Sequence, residues 1–365
     1  ALAMYSEHPL APKDIVKLIR EYRKLNTLTS VFTGPYRRLM TNNKLHPQHT
    51  QNVRTGRLAC KNPNSQQLND AAKELIEETD DWCMLSADYS QIEFRFIVHY
   101  IQDQRAIRAY HENPDTDFHQ WVAETARIPR KPAKTTNFLI AFGGGKKMLL
   151  IQLTSIPELV GAVADDVRRE VEAGSIPKDL ETRVFQERAM QRAESVYKAY
   201  HAALPTLRTT AKRAEEVALH RGYVFNVAGR RRSFTSDKCY KAFNTINQGS
   251  AADYAKNRFV RLHRALRGTC MSLIAFVHDE FLFRIPRTIQ GTDLQTIRLC
   301  IASLMETSPF PLRVPIRCNI GFPERNWSKA GKNQAPVMYK DFGLTGPLSE
   351  SVAEATLRQT LAAYG

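Results

Sequence analysis

The chain has 365 residues, 43% hydrophobic and 24% charged, enough apolar material for a sizeable core in two or three domains. No apolar run approaches the ~18 residues of a membrane span, and Ala1–Leu10 has neither the basic n-region nor the apolar h-region of a signal peptide. Lys plus Arg total 52 against 37 Asp plus Glu, a formal charge of +15, which suits nucleic acid, an anionic membrane or an acidic partner.

The basic residues are dispersed among folded-looking segments, as on a groove rather than a tail. The six cysteines, Cys60, Cys83, Cys239, Cys270, Cys300 and Cys318, form no CxxC pair and no metal-ligand spacing. They read as free thiols of a reducing compartment.

In chain order, Lys13–Met40 is helical in pattern, with Ile15, Leu18, Ile19, Tyr22 and Leu25 on one stripe and Pro12 near its start. Thr41–Asn69 is loop-rich. Trp82–Ser90 reads as a buried strand and Gln91–Ile101 as the helix leaving it. A helix pattern from Arg130 to Phe142 is opened by Pro129 and Pro132 and stopped by Gly143-Gly144-Gly145. Residues 155–190 are charged, Pro-flanked and only partly periodic, the pattern of an insertion. Helices resume over Ala189–His220 and Tyr240–Leu266. Two short apolar runs in Ser272–Pro286 flank His278-Asp279, as in a strand–turn–strand unit. Beyond Trp327 the tail carries Pro336, Pro347 and a weakly amphipathic helix with no legible role.

Two carboxylates stand at the ends of apolar strands, Asp88 after Leu85-Ser86-Ala87 and Asp279 after Phe276-Val277-His278. An ionised carboxylate beside a buried strand is costly unless paired, hydrogen-bonded or bound to a cation. Two brought together would invite a divalent ion, and oxygen-only ligands suit magnesium. Taken singly, either Asp could equally cap a turn or join a surface ion pair. On the helix from Arg130, Lys134 and Phe138 follow at intervals of four, sharing a broad face. Two cations at a helix start suit a triphosphate, and an aromatic one turn on can stack on a sugar or base. A solvated basic end on an ordinary amphipathic helix would look the same.

Five segments taken together resemble family A DNA polymerases. Thr55-Gly56-Arg57-Leu58 followed by Asn62-Pro63-Asn64-Ser65-Gln66 is similar to the family's TGRL…DPNLQ loop, and Asp88-Tyr89-Ser90-Gln91-Ile92-Glu93-Phe94-Arg95 to its motif A. Arg130 through Asn137-Phe138 to Phe142-Gly143 resembles motif B. Asn244 through Asn247-Gln248-Gly249-Ser250-Ala251-Ala252-Asp253, and Val277-His278-Asp279-Glu280, resemble the later motifs. Gly222-Tyr223-Val224 through Gly229-Arg230-Arg231-Arg232 is a weaker match in its expected place.

The resemblance implies an α+β right-hand polymerase fold with an antiparallel-sheet palm, helical fingers and a truncated thumb. The expected parts are a thumb remnant over 1–45, palm over 46–104 and 241–331, fingers over 105–240 and a tail over 332–365. It further implies template-directed addition of deoxynucleotides to a primer 3′-hydroxyl. Two magnesium ions would be held by Asp88, Asp279 and the Tyr89 carbonyl, with Glu280 as an auxiliary carboxylate. Arg130, Lys134 and His119 would grip the triphosphate of the incoming dNTP, Lys134 could protonate the leaving pyrophosphate, and Phe138 would pack on the sugar. Glu93 would be the steric gate against a ribose hydroxyl, and also the mark that separates the chain from related RNA polymerases. Arg57, Gln248 and His278 would donate to the primer–template minor groove, whose acceptors occur on every base pair. Asn64 and Asn244 are further DNA-contact candidates.

Two departures from the family pattern stand out. Phe142-Gly143 replaces the usual Tyr-Gly, removing a hydroxyl from the neighbourhood of Glu93, and Leu139 replaces a glycine. No segment resembles the family's proofreading exonuclease or 5′-nuclease, so low processivity and no 3′→5′ degradation are expected. A further chain or N-terminal region would then supply thumb or exonuclease functions. The setting expected is the cytoplasm of a bacterial or phage-infected cell, with no membrane partner. A DNA-binding scaffold derived from a polymerase, or an RNA-synthesising enzyme, remain as rival readings.

Overall fold

The computed structural model describes residues 13–141 and 146–365. They divide into two compact units, one formed by residues 13–27, 116–141, 146–222 and 234–244, the other by Leu28–Asp115, Tyr223–Ser233 and Thr245–Gly365.

The first unit is helical. Asp117 caps the helix Phe118–Ala126, its Oδ1 accepting from the His119 and Gln120 amides at 2.9 and 3.3 Å, which satisfies donors a helix start leaves open. The helix Arg130–Ala141 follows, then Lys146–Leu153, Pro157–Glu172, Glu181–Ala203 and Pro205–Arg221. Both Pro157 and Pro205 occupy helix starts, where a missing N–H costs nothing.

The partly periodic stretch 155–190 lies mostly in two of these helices, Pro157–Glu172 and Glu181–Ala203. Leu159, Val160, Ala164 and Val167 pack with Phe185, Ala189, Ala193 and Val196 in one core. Three of these are alanines, which fill a helix–helix seam while adding little hydrophobic contrast, and that explains the faint pattern. The charges lie outside, as in the Arg188–Glu170 pair at 2.6 Å. Among the described residues no single helix is long and apolar enough to cross a membrane. The bent pair Lys146–Leu153 and Pro157–Glu172 would pass by length and composition, but its leucines and valines fill this core.

In the second unit two short antiparallel hairpins, β1 (Gln48–Thr50) with β2 (Ala59–Lys61) and β4 (Tyr223–Phe225) with β5 (Arg231–Ser233), flank a larger sheet. That sheet contains β3 (Trp82–Tyr89), β6 (Ser272–Val277), β7 (Glu280–Pro286), β8 (Cys318–Ile320) and β9 (Ala335–Pro336). Its order is β6-β7-β3-β8-β9, and every pairing is antiparallel. Side chains alternate across a strand, so Leu85, Ala87 and Tyr89 of β3 share one face while Met84, Ser86 and Asp88 share the other.

The first face packs on the main core, joined by Tyr254, Ala255 and Leu262 of the helix Ala242–Leu266 and by Ile297, Ile301 and Leu304 of Gly291–Glu306. The second is covered only in part, by Trp327 and Ala330 against Met84, Val277 and Leu282. That difference leaves Asp88 on the accessible side.

The tail has a structural role that its sequence does not announce. Its helix Glu350–Ala362 buries Ala353, Leu357 and Leu361 in the main core. Glu350 pairs with Arg258 and, at 3.2 Å, with Arg261. Arg358 donates to the Arg264 and Arg267 carbonyls at 2.6 and 3.3 Å, capping the end of Ala242–Leu266 where acceptors are left over. All six cysteines are free thiols.

Candidate active site

The sheet register brings the two carboxylates to one corner. Asp88 lies opposite Glu280 in the β3–β7 pairing. Asp279 occupies, with His278, the two-residue connection between β6 and β7, closed by Val277 opposite Glu280. His278 takes φ +57° there, and the Tyr89 amide donates to the Asp279 carbonyl at 3.4 Å. Asp88 and Asp279 line one pocket of about 560 Å³.

Burial, then the neighbouring Asp279 and Glu280 charges, pushes the Asp88 carboxyl well above the usual range against a smaller opposing pull from Lys73. Burial also lifts Asp279, to about 6, with Arg57 opposing and Glu280 adding. Among the described residues neither has an ion-pair partner within 4 Å, and no set of three or more His, Cys, Asp or Glu side chains forms a ready metal cage. Two mutually repelling, incompletely neutralised carboxylates are a donor set that fits magnesium, which takes one or two carboxylates and completes its shell with water and phosphate.

Glu280 is occupied differently. Its Oε1 accepts from Ser86 Oγ at 2.6 Å and from Trp327 Nε1 at 2.8 Å, and its Oε2 from Lys73 Nζ at 2.8 Å. Gln334 donates in turn to Ser86 Oγ at 2.7 Å, and Lys73 stands 4.7 Å from the Trp327 ring centre. Sequence reasoning missed Lys73, Ser86 and Trp327. Ser86 could have been found, as a polar residue on the Asp88 side of an otherwise apolar strand.

Glu93 opens the helix Ile92–Ile101 and is only 9% exposed. It pairs with Arg57, which follows Gly56 at φ +80°. Burial lowers the Arg57 pKa while Asp279 supports its charge. Arg57, Gln66, Lys256 and the exposed His278 line a small neighbouring recess. Gln248 is buried within its helix. Asn64 caps a short turn by accepting from the Gln66 amide at 3.2 Å. Tyr89 sends its ring into the core, donating to the Met305 carbonyl at 3.2 Å.

In the first unit Arg130, exposed, donates through Nε to Asp117 at 3.0 Å. Lys134 is exposed, its ammonium 5.8 Å from the Phe138 ring centre, and Phe138 lies 5.4 Å from the His119 ring. The Tyr200 hydroxyl donates to Asn137 Oδ1 at 2.6 Å, so the Asn137 amide nitrogen, 2.9 Å from His119 Nδ1, donates in turn. That order makes Nδ1 an acceptor and leaves the proton on Nε2. Burial, followed by Lys134 and Arg130, lowers His119 to about 4 against the pull of Asp117. Asn244 is half-buried, its Oδ1 without a partner. Phe142 lies outside the described residues.

A strand-borne and a turn-borne aspartate meet at one corner of an antiparallel sheet, a donor pair suited to a divalent ion, and the chain belongs to DNA polymerase family A. A sequence model of that family matches residues 4–165 and 174–329. Among its relatives is the DNA polymerase DpoZ of Salmonella phage PMBT28, 30% identical over 78% of this chain and 46% of the phage protein. Another is the thermostable DNA polymerase I of Thermus filiformis, 28% identical over 90% of this chain and 37% of the Thermus protein. The chain thus spans less than half the length of these relatives. The POL domain of Pol1 from M. smegmatis, solved in complex with DNA primer-template and dNTP, shares the right-hand fold. Its TM-score is 0.68 at 22% identity, covering 87% of this chain and 54% of that one.

Proposed function

We propose that the chain is the polymerising part of a DNA-directed DNA polymerase, adding deoxynucleotides to a primer 3′-hydroxyl along a DNA template. The observation that carries this reading is the convergence of Asp88 and Asp279, distant in sequence, at one solvent-reachable corner of the sheet. Asp88, Asp279 and the Tyr89 carbonyl would hold two magnesium ions, which when bound supply charge neutralisation and a more acidic primer hydroxyl.

The remaining work falls to the protein's own groups. Arg130 and Lys134 grip the triphosphate, and Lys134 gives a proton to the departing pyrophosphate as the primer oxygen, its own proton lost to solvent, attacks the α-phosphorus in line. Phosphoryl transfer asks mainly for such positioning and neutralisation. His119, neutral and fixed by Asn137, offers its Nε2 proton to a phosphate oxygen, and Phe138 supports the sugar. Glu93 fills the space a 2′-hydroxyl would need. Arg57, Gln248 and His278 donate to minor-groove acceptors near the primer end, with Asn64 and Asn244 as further DNA contacts. Glu280, engaged by three protein donors, keeps the β6–β7 turn in register.

No exonuclease is assigned to these 365 residues, so extension without 3′→5′ degradation is expected of them. Thumb and proofreading functions would come from a further chain or region, in a bacterial or phage-infected cytoplasm. Primer extension with all four deoxynucleotides tests the reading. Asp279→Asn is expected to lower extension at least about a hundredfold while DNA binding persists. Near-normal extension by that variant in magnesium would overturn it.

A further inference from the structure

We propose that Glu93, besides its place at the nucleotide's sugar, is the positioning residue for Arg57, holding one arm of the guanidinium so that the others face the minor groove at the primer end. The inference rests on the polymerase reading and goes beyond it by joining sugar selection and primer-end recognition in a single ion pair.

Glu93 is 9% exposed. A carboxylate so placed needs a partner, and withdrawing that partner leaves a buried charge uncompensated. Arg57 meets the need through Nη2. Its side chain stays 34% exposed, and a guanidinium has five N–H groups in a rigid fork, so donors remain after the pair is made. Their surroundings are suited to an acceptor-rich ligand. The recess beside Arg57 is lined by Leu58, Gln66, Ala252, Lys256, Phe276 and His278, with two hydrogen-bonding side chains, one cation and no carboxylate. The minor-groove edge of a base pair, which presents N3 and O2 acceptors whatever the sequence, matches that wall.

Arg57 would not leave Glu93 to reach DNA, because departure would strand the buried carboxylate. It acts from where it is held.

The sign of one measurement separates this arrangement from simple charge repulsion. If Glu93 merely repelled DNA, removing its charge would tighten binding. If it positions Arg57, removal loosens binding. Primer–template affinity is measured by fluorescence anisotropy for wild type, Glu93→Gln, Glu93→Ala, Arg57→Ala and the double alanine variant. Thermal melts confirm folding, and Glu93→Gln, of equal shape, carries the test if the alanine variants do not fold.

Expected are a loss of about tenfold for Glu93→Ala, a smaller loss for Glu93→Gln, and no further loss when Glu93→Ala is added to Arg57→Ala. A second readout is one that a general structural defect would not move. A primer ending in 3-deazaadenine, which lacks the N3 acceptor, should weaken wild-type binding and leave Glu93→Ala unaffected. Unchanged or tighter binding by both Glu93 variants, or equal sensitivity of wild type and Glu93→Ala to the deaza base, overturns the inference. Failure of the wild type itself to bind and extend the primer would instead refute the polymerase reading.

Discussion

Lys73→Met would remove the one cation that pairs with Glu280 among the described residues. Lys73 Nζ lies 2.8 Å from Oε2, and the two side chains are 19% and 11% exposed. At an effective dielectric near 20 the gross Coulomb attraction at that separation is about 6 kcal/mol, and breaking a buried pair from one side typically costs about 3–5 kcal/mol. Here the stranded carboxylate keeps its bonds from Ser86 and Trp327, which lowers the expected cost to about 2–4 kcal/mol. Loss of the ammonium over the Trp327 ring adds to it by less than ~1 kcal/mol.

The assay is thermal and urea unfolding followed by tryptophan fluorescence, Trp327 being at the site. The Lys73→Met/Glu280→Gln double variant, which removes both charges, should regain at least half of the loss. A single variant within about 0.5 kcal/mol of wild type, or a double variant no more stable than the single, would refute the view of Glu280 as an anchored residue.

Three other outcomes are expected. Phe142→Tyr, which restores the residue usual in the family pattern, should raise the ratio of deoxy- to ribonucleotide incorporation; an unchanged ratio on one primer counts against it. His119, held near 4 in the folded chain against an ordinary 6.5, takes up its proton first in the unfolded state as pH falls. The stability it contributes is therefore present above pH ~6.5 and lost on descending towards ~4. Melting temperatures over that window should fall more steeply for wild type than for His119→Gln. Leu357→Ala, at a fully buried tail position, should cost about 2–5 kcal/mol in the same unfolding assay, and a near-neutral result would mean that the tail helix is not part of the core.

The central strand, the β6–β7 turn and the helices Arg130–Ala141 and Ala242–Leu266 were legible because each carries a clear local pattern. Trp82–Tyr89 is apolar almost to its end and then charged, and His278-Asp279 interrupts two apolar runs. The helix Arg130–Ala141 has its stop signal close behind it. What stayed hidden depends on contacts distant in sequence. Lys73 and Glu280 are separated by 207 positions, and the four-residue helix carrying Lys73 is too short for periodicity to reveal. The pairing of Arg57 with Glu93 was equally invisible, since each residue had its own separate reading. The helices in 155–190 were obscured by alanines at their seam, and the packing role of the tail helix, itself read as weakly amphipathic, by the brevity of its apolar stripe at positions 353, 357 and 361. The role that the tail's sequence does not announce is to help close the main core.

That closing helix also orders events during synthesis. The sheet needs strands from Trp82 to Pro336, and its core, covered in part by Ala242–Leu266 and Gly291–Glu306, is completed by Glu350–Ala362. The helical segment Thr116–Gly222 draws on neighbours close along the chain, and such local assemblies form quickly, whereas distant strand pairings wait on slow loop closure. On the ribosome, Asp88 is made long before Asp279, and the core face of the sheet that carries them stays incompletely covered until residues 350–362 emerge. A nascent chain stalled before residue 350 would therefore carry a nearly complete set of site residues on an apolar sheet still unsealed, a state suited to chaperone capture rather than to catalysis.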